Sequence, residues 1–312
     1  MKYYLGVTDW RWYSYLSQTS QEDVNFWQPG GKSAFRVLEP GGPFLFKLKS
    51  PYNAIGGIGF FTAQSQVPLS VAWDTFRQRN GFETIEQFRA AIQQIRGDVD
   101  RNPTIGCIAL TNPVFFQRED WIPLPANWSN NIVVGKSYNT EKDSVDAALW
   151  RQVQATLTRY HANFPSSQEA ALVVAEPAPL YGAPVLRKVR IGQGAFRLSV
   201  TDAYTKRCAI TGEKTLPVLE AAHIKPYAEA GPNTVTNGLL LRSDMHKLFD
   251  DGYITVTPDY KIEISSQIRE EFENGREYYQ YHGKGLFVLP STVSNRPGTE
   301  YLNFHNTTIF RP

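Results

Sequence analysis

The spacing of apolar positions changes period several times along the chain. Residues 3–8 form a run of aromatic and β-branched side chains that predicts a first strand. Residues 9–16 (Asp-Trp-Arg-Trp-Tyr-Ser-Tyr-Leu) predict a turn or short helix. Phe26-Trp27-Gln28 reads as a strand that breaks at Pro29-Gly30-Gly31. The Gly41-Gly42-Pro43 turn launches residues 44–49, whose two-residue alternation predicts a half-buried strand. A turn at 50–53 leads into a glycine-spaced strand at 55–61. The period then lengthens: Leu69, Ala72, Trp73 and Phe76, then Phe88, Ile92 and Ile95, recur at helical spacing. Strands are expected again at 104–110, 113–116 and 132–134.

Val145, Leu149, Val153 and Leu157 mark one face of a connecting helix over 145–161. Pro165, Pro177, Pro179, Gly182 and Pro184 then mark a linker. Beyond it the pattern predicts a helix at 195–203, strands at 218–224 and 238–241, and a short helix at 243–250 ended by Gly252. A hairpin of 253–257 and 261–264 across Pro258-Asp259 and a charged helix at 266–281 complete the series. The fold class is α+β, in three parts. Residues 1–140 are a mixed unit with a curved or barrelled sheet and flanking helices. Residues 141–184 are a connecting helix and linker. Residues 185–312 are a second unit.

Composition narrows this picture little. A formal net charge of +2 neither demands nor forbids a nucleic-acid partner, so any basic surface is local. Two cysteines exclude a disulfide framework and a four-cysteine zinc knuckle. The N-terminus has no apolar signal core, and no apolar run is long enough to span a bilayer. The expectation is a soluble cytoplasmic protein.

The chemistry concentrates at 219–252. His223 ends a strand, Asn237 follows across a loop, and His246 begins the next helix. Hydrolysing a phosphodiester needs a base for water and a cation against the phosphoryl oxygens. An imidazole with a pKa near ~6.5 suits the first role at neutral pH, and one divalent ion supplies the second. His223 is the candidate base. Asn237 completes the catalytic loop, holding His223 through backbone hydrogen bonds. His246 is the candidate metal ligand, and Asp250 shares its helical face.

The stretches Glu-Ala-Ala-His-Ile-Lys-Pro at 220–226, Asn-Gly-Leu-Leu-Leu at 237–241 and His-Lys-Leu-Phe-Asp-Asp-Gly at 246–252 resemble the HNH endonuclease family. The leading stretches 190–197 and 207–212 match the same subgroup. The resemblance implies a ββα-metal finger, a divalent cofactor (Mg²⁺ most simply, with Mn²⁺ or another transition ion an alternative) and double-stranded DNA as substrate. Many HNH enzymes carry a ligand directly before the base histidine, where this chain has Ala222. Glu220, two residues earlier on the same strand face, is the substitute ligand candidate or, equally, the maker of a structural hydrogen bond. Between 186 and 226 eight lysines and arginines face three carboxylates, so the locality is basic. Arg190, Arg197, Arg207 and Lys225, with Arg242 on the second strand, are the candidate phosphate contacts.

The pattern at 40–47 followed by 55–61 looks like the strand pair of PUA-like barrels, the superfamily that includes EVE and ASCH domains. Such a domain fused to an HNH module resembles modification-dependent restriction enzymes, which implies a reader for a modified, flipped-out base such as a modified cytosine. Trp10, Trp12, Trp27 and Tyr52 are the candidate pocket walls; Asp9 and Asn53 are the candidate edge readers. A single finger nicks one strand, so double-strand cleavage implies a homodimer or two binding events. The alternatives are a reader for unmodified sequence, RNA or a backbone modification, or a nucleic-acid-binding protein whose finger is degenerate at Ala222.

Overall fold

Tyr3 and Leu5 pack on one side of the first strand and Tyr4 on the other, and this alternation organises the N-terminal unit. The computed structural model describes residues 1–30, 35–129, 131–162 and 192–312. Two compact units divide the chain, Met1–Ala195 and Phe196–Pro312.

In the first unit the strands are β1 (Lys2–Thr8), β2 (Asp23–Gln28), β3 (Pro43–Leu48), β4 (Ala54–Pro68), β5 (Thr104–Phe115), β6 (Ile122–Pro123) and β7 (Gly135–Asn139). The helices are α1 (Trp10–Leu16), α2 (Leu69–Phe76), α3 (Ile85–Arg96) and α4 (Ser144–Ala162). The sheet runs β2-β5-β4-β3-β1-β7, with β6 on β4. β1 and β3 are parallel, and the remaining pairings are antiparallel. Among the described residues β2 and β7 end this order unpaired with each other, so the sheet is open and the expected barrel is not closed.

Several local expectations change for physical reasons. β3 is buried along its whole length, not half-buried. Phe44, Phe46 and Leu48 enter one apolar cluster with α1, while Leu45 enters a second cluster on the other face. Residues 104–115 are one strand rather than two. Asn112 takes a positive φ of 47° there, and the register with β4 shifts nearby. Residues 132–134 lie outside any strand. Leu149, Val153 and Leu157 of α4 pack with Tyr3, Leu5 and Leu45. The supposed connector is therefore part of the first unit's core. The proline-marked linker, and Arg190 with it, lies outside the described residues.

The second unit contains α5 (Gln193–Ala203, entering from the unit boundary), β8 (Leu219–His223), β9 (Gly238–Arg242), α6 (Ser243–Asp250), β10 (Ile254–Val256), β11 (Ile262–Ile264), α7 (Gln267–Phe272), α8 (Arg276–Tyr279) and α9 (Thr299–Phe304). β8 and β9 pair antiparallel, with Leu219 opposite Arg242 and His223 opposite Gly238. α6 follows β9 directly, ends at Asp250 with Asp251 as its C-cap, and is closed by Gly252 at φ +79°. Strand, strand and helix thus succeed one another in the expected order. The single helix expected at 266–281 is two. Glu273 (φ 54°) and Gly275 (φ 108°), around the Asn274-Gly275 pair, interrupt it.

Candidate functional site

His223 is the last residue of β8, and its ring is held on two sides. Phe196 stacks on it with centroids 4.1 Å apart and planes 15° apart. Asn233, from the loop between β8 and β9, places Oδ1 2.7 Å from Nε2. Burial, foremost, and the nearby His246 push the imidazole below its ordinary pKa; the bond to Asn233 and the charge of Asp250 oppose this. The ring is therefore neutral at neutral pH and able to take a proton.

Asn237 lies immediately before β9 and is fully buried. Its Oδ1 accepts from the Lys225 N–H (2.8 Å), and its Nδ2 donates to the carbonyls of Lys225 (2.9 Å) and Pro232 (3.0 Å). The Ile224 N–H donates to the Asn237 carbonyl (3.0 Å). Both Nδ2 hydrogens and one Oδ1 lone pair are thus engaged by the backbone of the loop. It acts as a clamp on that loop.

His246 sits on α6 between two carboxylates. Glu220 Oε2 is 2.6 Å from Nδ1, and Asp250 Oδ2 is 3.2 Å from Nε2. Burial, ahead of the neighbouring charges, raises the Asp250 carboxyl above its ordinary value. The donor set at Nε2 suits a divalent cation. Two adjacent ligands with bonds of roughly 2.1 Å to one ion stand about 3 Å apart, as Nε2 and Asp250 Oδ2 do. The two ring nitrogens point apart, so Glu220 and Asp250 lie on opposite sides of the imidazole. An ion held by Nε2 and Asp250 leaves Glu220 bonded to Nδ1, where it orients the ring. Among the described residues no group of three or more His, Cys, Asp and Glu side chains is arranged to hold a metal ion. Glu220 as a direct ligand, the substitute for the residue absent at Ala222, does not fit this geometry.

His223, His246 and Asp250 line one cleft of about 440 Å³, together with Ala221, Pro226, Tyr227, His305 and Ile309. His305 comes from the turn after α9 and is 1% exposed. It stacks on Phe249 (3.7 Å between centroids) and places Nε2 3.1 Å from the Phe249 carbonyl and Nδ1 2.8 Å from Thr255 Oγ1. Burial depresses its pKa to about 4.

The proposed phosphate contacts are less uniform than their charges imply. Arg242 makes a two-pronged ion pair with Asp244 (2.6 and 2.8 Å), which raises its own pKa and holds Asp244 below the usual carboxylate range. Its charge is thus locally compensated. Arg197 donates to the Leu219 carbonyl at 3.3 Å. Lys225 lies over the Phe304 ring with Nζ 4.8 Å from its centroid. Arg207 is half-buried.

In the first unit a cleft of about 550 Å³ collects Asp9, Trp12, Trp27, Gln28 and Lys49 with apolar neighbours. The six aromatic and polar candidates do not converge there as a set. Trp12 is only 2% exposed, and its Nε1 donates to the Asn25 carbonyl; it is a core residue that backs the cleft. Trp27 is half-buried, with Nε1 donating to the Asn80 carbonyl. Trp10 and Tyr52 lie outside the lining and pack on each other, centroids 4.4 Å apart, with Trp121 beside both. Asn53 occupies a turn at φ +43°, where its Oδ1 accepts from Lys47 Nζ (3.1 Å). Asp9 caps α1 through the Arg11 N–H and pairs with Lys49 at 3.5 Å.

Two side chains of the second unit escaped the sequence reading. Asn233 sits in a Gly-Pro-Asn stretch that reads only as a turn, and His305 lies far along the chain from the motif. The pairing of an amide with the His223 ring was not visible without the loop's path.

Residues 208–257 match the family model described as HNH endonuclease. Among solved structures the chain is similar to the ASCH protein from Zymomonas mobilis, at 12% identity over 46% of this chain and 94% of that one, with a TM-score of 0.32. It is also similar to the modification-dependent TagI restriction endonuclease, at 13% identity over 93% of this chain and 76% of that one, with a TM-score of 0.28. No curated protein matches the chain significantly. No helix among the described residues is long and apolar enough to cross a membrane.

Proposed function

We propose that this chain is a metal-dependent DNA endonuclease in which His223 is the general base. The observation that carries the reading is the placement of the His223 imidazole and a His–Asp donor pair on the walls of one cleft. With Asn233 Oδ1 on Nε2, Nδ1 of His223 is the nitrogen left to act. It takes a proton from a water molecule as that water's oxygen attacks phosphorus, and the P–O bond to the leaving oxygen breaks in line. His246 and Asp250 would hold the divalent cation, which would supply positive charge to the phosphoryl oxygens and the leaving group. Glu220 holds the His246 ring so that Nε2 faces that position. Tyr227, half-exposed on the cleft wall, is available to a phosphate oxygen or sugar.

The N-terminal unit is proposed to select the substrate by reading a modified base. The support is narrower than the sequence suggested: it rests on the cleft bounded by Trp27, Asp9, Gln28 and Lys49. An indole supplies a face for stacking, and the three polar residues supply acceptors and donors for a base edge.

Supercoiled plasmids carrying modified or unmodified cytosines, incubated with the full chain and Mg²⁺ or Mn²⁺, test both halves. The expected result is cleavage of modified DNA by the wild type and its loss in His223→Ala. Equal cleavage of both plasmids removes the modified-cytosine reading. A wild type as inert as His223→Ala on every DNA removes the nuclease.

A further inference from the structure

One side chain ties together both ends of the loop that faces the base. Asn237 binds the backbone of Lys225 just after His223, and the carbonyl of Pro232 just before Asn233. The two stretches are thereby fixed against each other, and Asn233 is carried to the His223 ring. Asn233 is itself buried, at 9% exposure. Its Oδ1 stands 2.7 Å from Nε2 of His223. A carboxamide oxygen only accepts, so Nε2 must carry the hydrogen and donate it. Phe196 stacked on the ring fixes its plane; the stack alone leaves the ring free to turn over within that plane. The hydrogen bond removes that freedom.

We infer that Asn233 is a positioning residue that fixes both the tautomer and the ring orientation of His223, so that the Nδ1 lone pair is the one presented to the cleft. The inference rests on the nuclease reading for its consequence and on the loop geometry for its existence. When Nδ1 takes a proton from water, the imidazolium formed keeps its Nε2–H on the same oxygen. That bond becomes charge-assisted as the positive charge develops. Asn233 therefore acts through His223 and touches no reacting atom.

Two isosteric substitutions separate this role from simple packing. Asn233→Leu fills the same space without an acceptor; Asn233→Asp keeps the acceptor and adds a negative charge. Single-turnover cleavage by the full chain is expected to fall roughly 10- to 100-fold in Asn233→Leu. Asn233→Asp is expected to stay within about tenfold of wild type, with the acid limb of its pH–rate profile moved up by about one unit. A ring Nε2–H proton protected from exchange should appear in ¹H–¹⁵N spectra of wild type and Asn233→Asp and be missing in Asn233→Leu. Wild-type rates and an unchanged pH profile in both variants overturn the inference. So does an equal loss in both without a shifted limb. If the wild type cleaves no DNA, the nuclease reading has failed, and the ring-proton signal still decides the inference. Its loss on Asn233→Leu alone supports the tether, and its indifference to both substitutions refutes it.

Discussion

Acidification should weaken the second unit through a histidine that takes no part in the proposed chemistry. His305 is almost fully buried, stacked on Phe249, and engaged at both nitrogens by Thr255 and the Phe249 carbonyl. Its folded pKa is about 4, against 6.5 for an unperturbed imidazole. The unfolded chain therefore binds this proton more readily than the folded one between those two values. Stability rises with pH wherever the unfolded state holds more protons. The contribution is complete above the unfolded pKa and is lost as pH falls from about 6.5 to about 4. A depression of this size corresponds to about 3 kcal/mol at most. The comparison is wild type against His305→Gln, which keeps a donor for the Phe249 carbonyl and cannot titrate. Urea unfolding is followed by far-UV circular dichroism at several pH values between 7.5 and 4.5. All seven tryptophans lie at or before Trp150, so tryptophan fluorescence tracks the first unit separately. The variant should start less stable at pH 7.5 and lose less on acidification, so the two stability curves converge. Parallel curves refute the assignment of a depressed pKa to His305.

Three further outcomes follow from the geometry of the two clefts. Glu220→Gln should weaken Mn²⁺ binding by roughly 10- to 100-fold in calorimetric titration, less than His246→Ala, because Glu220 acts through the ring; a loss as large as that of His246→Ala would make it a direct ligand. Asn237→Ala strips partners from one buried N–H and two carbonyls, and should cost about 2–4 kcal/mol in the unfolding of the second unit. An unchanged transition would show that the loop is held by other means. Trp27→Ala should reduce the preference for modified DNA, while Trp10→Ala should leave it intact, since Trp27 and not Trp10 lines the cleft with Asp9, Gln28 and Lys49. The reverse pattern would move the reading surface to the Trp10–Tyr52 pair.

The segment 219–252 was the most legible part of the chain because its geometry is local. A strand, a loop, a strand and a helix within 219–252 bring His223 and His246 together through short-range connections, and the i,i+4 step from His246 to Asp250 follows from helical repeat alone. Asn237 could be read as a clamp because a buried asparagine at a strand entrance must satisfy its amide nearby. Glu220 shows where such reasoning stops. Strand periodicity put it near His246, but only the fold sets it on Nδ1 of that ring, across from Asp250 at Nε2.

By itself, then, the sequence determined the alternating strands and periodic helices, the unit with the catalytic motif, and the residue types that chemistry there requires. Tertiary structure decided whatever depends on which distant segments meet. It left the first sheet open rather than closed as a barrel. It drew α4 into the first core. It put Trp27 on a cleft and Trp10 outside it, set Asn233 against the His223 ring, and brought His305 to the second unit's cleft. The physical reason is that apolar periodicity specifies a buried face without naming its partner. An aromatic residue has the same signature whether it fills a core or lines a pocket, and a loop amide shows no function until the fold sets it against a particular ring.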